Sequence, residues 1–166
     1  MKEIAFALTA GMVALFLQTT SLGFFFAAEH KPDLMLILVV WAGLTMNLPT
    51  GLAFAFIAGI LADSLSGSPT GLFALIYCIV FVCCNYVNAN FDMDALSGRF
   101  IVVFVASVFG AGVVLLLRWP MGPIGFGPVA AGWIAVKSFV TGLTSILLIP
   151  SMDRLWEGYS RLVGLR

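Results

Sequence analysis

Charge is what this 166-residue chain has least of: only 10% of its residues are Asp, Glu, Lys or Arg, and the 8 basic and 8 acidic side chains cancel. Without a basic surplus there is no surface to neutralise a phosphate backbone, so no nucleic-acid partner is expected. Cysteine is nearly absent as well. Cys78, Cys83 and Cys84 share one apolar stretch, away from the single histidine, so neither a disulfide framework nor a thiolate zinc site is supported. That histidine, His30, stands beside Glu29 and Asp33. One imidazole with two carboxylates is a weak metal set, and a solvated loop histidine is the plainer reading. The chain also lacks a G-x-S-x-G elbow, a P-loop and a pair of intramembrane carboxylates, so no enzyme activity, catalytic residue or cofactor is expected.

What fills the chain instead is apolar surface, 61% of residues, with a mean hydropathy of +1.10. No water-soluble domain of this size hides that much. Apolar stretches cover residues 4–26, 34–48, 51–65, 71–87, 100–117 and 129–149, separated by short Gly, Pro, Asn and Ser clusters. The last is about 31 Å long as a helix, enough for a hydrocarbon core of about 30 Å. The pattern predicts an all-α integral membrane protein, one membrane domain over residues 1–166 built as a bundle of six transmembrane helices. The second and third stretches are short, about 22 Å each, and either span or form a re-entrant hairpin. The first is expected to be an uncleaved span rather than a secretory signal, because its apolar run is long and Phe26-Ala27-Ala28 is a poor cleavage site.

Lys2, Arg99, Arg154, Arg161 and Arg166 then fall on one side, and Lys31 and Arg118 on the other. This bias places both termini in the cytoplasm. Trp41, Trp119, Trp133 and Trp156 mostly lie near span ends, where indole rings anchor to the interface. Residues 151–166 read as a cytoplasmic tail, either an amphipathic surface helix or a simple basic anchor.

Two charges interrupt the apolar spans. Gly51, Ala55, Gly59, Asp63 and Gly67 recur every four residues, a small-residue ridge that admits another backbone and turns Asp63 inward. Lys137 shares a helix face with Thr141, Thr144 and Ser145. Both charges lie at similar depth by helical rise, so they are candidates for an ion pair between the third and sixth helices; otherwise Asp63 ends its helix near the interface and Lys137 snorkels outward.

The residues Lys31-Pro32-Asp33-Leu34 entering a span, followed by Asp63-Ser64-Leu65-Ser66-Gly67-Ser68-Pro69-Thr70-Gly71 at the next junction, resemble the bacterial rod shape-determining protein MreD family. The resemblance covers the chain in length, span pattern and the position of both motifs. It implies a non-enzymatic inner-membrane component of the machinery that elongates the cell wall and maintains rod shape. Its implied partners are the bitopic protein MreC and, through it, MreB filaments, RodA and a class-B penicillin-binding transpeptidase, besides membrane lipid and a possible second copy. Pro32, Asp33, Asp63, Ser66, Gly67, Pro69, Gly71 and Lys137 are the structural or partner-binding candidates, and Gly51, Ala55 and Gly59 the helix-packing face. The junction motif also reads as a tight turn, with Ser66 and Ser68 capping freed backbone groups. The alternative function is the substrate-binding membrane subunit of an energy-coupling-factor vitamin transporter, whose helix arrangement MreD-like proteins resemble. Ala10 and Ala14 then stand for its docking motif. An ion-coupled transporter using Asp63 and Lys137 is a third, thinner reading.

Overall fold

A computed structural model describes residues 2–20, 32–66, 71–90, 96–118 and 128–163, and all of its regular structure is helical. The helices are α1 (Lys2–Thr20), α2 (Leu34–Thr45), α3 (Leu48–Ser66), α4 (Leu72–Asn90), α5 (Leu96–Arg118) and α6 (Pro128–Val163). Among the described residues four stretches are long and apolar enough to cross a membrane: Leu48–Ser66, Leu72–Asn90, Gly98–Leu116 and Ile134–Arg161. Phe6–Gln18 and Leu34–Thr45 are shorter apolar helices.

The shortest helix is the centre of the molecule. α2 touches all five other described helices, and every residue from Leu34 to Gly43 is buried. An all-round apolar helix of 12 residues, about 18 Å, suits burial among other helices better than contact with lipid. Such a helix leaves unpaired N–H groups at one end and carbonyls at the other, away from bulk water. Side chains meet both ends. Asp33 Oδ1 accepts the Leu36 N–H at 3.1 Å, and the Asp33 N–H donates to the Thr141 hydroxyl at 3.3 Å. At the far end Asn85 donates to the Gly43 and Met46 carbonyls at 3.4 and 3.3 Å, and Asn88 to the Leu44 carbonyl at 2.9 Å.

α3 begins earlier than residue 51, at Leu48, and so is a full-length helix rather than a short one. The reason is Pro49: in a first helical turn its missing N–H is not needed, so the proline starts the helix rather than ending the linker. The Asn47 carbonyl accepts from the Gly51 N–H and the Thr50 hydroxyl, both at 2.9 Å. Likewise α6 does not stop at Ile149. It continues through Pro150 to Val163, so the segment expected as a separate tail extends the same helix. Its Trp156 packs on Phe6 of α1, ring centroids 5.3 Å apart, and on Tyr159.

α3 and α4 form the closest pair. A Cβ on Gly59 would overlap the Ala74 backbone, and one on Gly51 would enter the Phe81 ring, so the ridge of Gly51, Ala55 and Gly59 is the seam along which α4 lies.

Candidate functional site

Polar side chains gather in two layers. One lies at the α2 C-terminal end, where Arg99 of α5 pairs with Asp153 of α6 at 2.6 Å and the other Asp153 oxygen accepts the Trp41 indole N–H at 2.8 Å. Trp41 is 1% exposed, so it is a core residue and not the interfacial anchor its place near a span end suggested. Its hydrogen bond explains why an indole is tolerated there. Sequence reasoning missed Asp153, and the only signal was an acidic residue among the basic ones that follow Pro150.

The second layer contains Asp33, Asp63, Tyr77, Lys137 and Thr141. It stands about 18 Å away, counted along α6 from Asp153 to Thr141. Asp63, 4% exposed, reaches from the end of α3 to the start of α4. Its carboxylate accepts the N–H groups of Gly71 at 2.8 Å, Phe73 at 2.9 Å and Ala74 at 3.4 Å. This is an N-cap supplied from another helix: it pairs orphan donors and sets a negative charge at the positive end of the α4 dipole. Gly71 has φ +100°, a backbone that L side chains rarely adopt, and this turns its N–H onto Asp63. The Ser66 hydroxyl donates to the Asp63 carbonyl at 3.3 Å.

Of the two readings for these charges, the ion pair is therefore not formed. Asp63 is occupied by backbone N–H groups, and no hydrogen bond or ion pair joins the Lys137 ammonium to it or to any other described residue. The polar face of α6 does turn inward: Ser138, Thr141 and Ser145 are buried, and the Thr141, Thr144 and Ser145 hydroxyls donate to carbonyls of their own helix. Asp33 sits in the same layer, its Oδ1 accepting the Tyr77 hydroxyl at 3.3 Å beside the Leu36 N–H, and Pro32 before it is buried. Gly67 and Pro69, like His30 and Lys31, lie outside the described residues.

Among the described residues no three of His, Cys, Asp and Glu gather in a way that would hold a metal ion. Cys84 is buried, Cys78 half-buried and Cys83 exposed on the apolar surface of α4. Helices of this length and apolarity, with the buried polar groups gathered in internal layers, define an integral membrane protein.

The chain belongs to the family described as rod shape-determining protein MreD, whose sequence model matches residues 3–157, nearly its whole length. No curated protein and no solved structure matches it.

Proposed function

We propose that this chain is a non-enzymatic component of the bacterial inner-membrane machinery that elongates the lateral cell wall, where it binds MreC and helps maintain rod shape. The family match over residues 3–157 carries this reading. The polar groups among the described residues support it, because Asp33, Asp63, Arg99, Asp153, Asn85 and Asn88 all hold helix ends or helix pairs together. All six helices are read as lying in the bilayer, in the arrangement that MreD-like proteins and energy-coupling-factor subunits resemble. The layer with Arg99 faces the cytoplasm, together with Arg154, Arg161 and both termini.

For the MreC membrane helix the best-fitting surface is the groove between α4 and α5. It is an almost wholly apolar hollow of about 500 Å³, lined by Val80, Cys83, Cys84, Val102, Val105 and Ala106. Small residues on such a face let a single apolar helix approach closely. Through MreC the chain joins MreB, RodA and the transpeptidase.

Affinity purification of the tagged protein from its native membrane in mild detergent, with mass spectrometry, tests this. MreC with wall-synthesis enzymes is expected in stoichiometric amount, and a tryptophan in place of the exposed groove residue Val105 (Val105→Trp) is expected to reduce MreC recovery at least about tenfold while the protein itself stays in the membrane. A coupling protein with ATP-binding subunits in place of MreC would sink the reading. The vitamin-transporter alternative finds no support in the comparisons, and Ala14 of its docking motif is buried against the protein's own helices.

A further inference from the structure

At the Asp33 end of the bundle an open cavity of about 480 Å³ is lined by Gln18, Asp33, Tyr77 and Lys137, with Leu15 and Leu65 among its apolar walls. Three of its polar groups, on Lys137, Asp33 and Gln18, have unused hydrogen-bonding capacity. Lys137 offers three N–H donors, and no described residue accepts from it. On Asp33 only Oδ1 receives hydrogen bonds from described residues, which leaves Oδ2 open. The Gln18 side-chain oxygen is buried without a hydrogen-bond partner. A carboxylate and an ammonium thus line one cavity without closing into an ion pair, although opposite charges on one wall would each gain by doing so.

The cavity therefore asks for an anion at Lys137 and for a cationic or N–H donor between Asp33 and Gln18. A zwitterion supplies both. Depth and walls add to this. Lys137 lies about 24 Å along α6 from Asp153, so if the Arg99–Asp153 layer marks one edge of a core of about 30 Å, the Lys137 backbone sits about 6 Å inside the other edge, from where its long side chain reaches toward the headgroups. Leu65, 59% exposed, gives an acyl chain an apolar path out of the cavity.

We infer that this cavity binds a zwitterionic headgroup, a primary ammonium beside a phosphate ester. The phosphate rests on Lys137 and the ammonium between Asp33 and Gln18. The apolar exit favours phosphatidylethanolamine as the source over a soluble phosphoethanolamine.

The test uses the full chain in nanodiscs of equal phosphatidylethanolamine and phosphatidylglycerol, extracted into mild detergent and weighed by native mass spectrometry. One phosphatidylethanolamine per chain is expected to survive washing, about tenfold over phosphatidylglycerol, and Lys137→Met and Gln18→Leu should each reduce its retention about tenfold. Because Lys137 has no protein partner to lose, the lipid-free Lys137→Met protein should melt no lower than the wild type. Should Lys137→Met prove unstable, Gln18→Leu decides alone. Equal retention of both lipids removes the ammonium half of the site, and equal retention by wild type and variants overturns the whole. Soluble O-phosphoethanolamine that raises the melting temperature of the wild type alone, with no lipid retained, keeps the zwitterion and overturns the lipid as its source.

Discussion

Asp63 shows at the scale of one residue how a charge can be legible and its partner not. Its inward direction follows from the ridge of small residues, but two charges at similar depth made Lys137 the obvious match. Backbone N–H groups carry no mark in a sequence: the junction was readable as a turn with groups to cap, but Ser66 and Ser68 stood out as the caps and Asp63 did not. Three N–H groups now hold the carboxylate. Asp63→Asn keeps the shape but turns an amide NH₂ toward donors that need an acceptor. It is expected to destabilise the protein by about 2–3 kcal/mol, seen as a lowered melting temperature in detergent. The exchange of Asp63→Lys with Lys137→Asp is expected not to restore what either reversal loses, in a growth or cell-shape assay. Trp41 gives the converse case: its position near a span end was legible, but its bond to Asp153 was not, because that partner lies 112 residues away. Trp41→Phe removes the donor and leaves a smaller ring in a fully buried site, with an expected loss of about 2–4 kcal/mol in the same melting measurement.

Between elements, the contacts that matter are close approaches that a side chain would block. The recurrence of Gly51, Ala55 and Gly59 was readable because small residues every four positions form one ridge, and α4 is the helix that lies on it. Gly59→Ala forces a methyl group into the Ala74 backbone, which cannot move aside as a flexible side chain would. A large loss of folded protein in the membrane is expected, whereas Gly112→Ala, where a Cβ meets nothing within 4 Å, should leave the yield unchanged or slightly higher. Helix limits were less readable at prolines. Pro49 and Pro150 look alike in sequence, yet one opens a helix and the other lies inside one. Pro49 fits because a first turn needs no N–H, whereas Pro150 frees a carbonyl inside a helix, a cost that no local sequence signal shows is met.

For the whole molecule, α2 is the element on which the others converge, and its ends are held by groups from α4 and α6. Asn85→Leu should therefore loosen several helices at once, and is expected to broaden or lower the melting transition by more than a lipid-facing change such as Leu147→Ala. The order of synthesis gives this arrangement a further consequence. The ribosome releases α2 before α3 through α6, yet a helix of 12 residues cannot bring both ends to water across a bilayer by itself. Until Asn85, Asn88 and Thr141 have been made, its end groups have none of these partners. α2 must therefore wait at the membrane surface or beside the insertion machinery and take its place only after the C-terminal helices arrive. A chain truncated after α3 should leave α2 open to proteases that the complete protein resists.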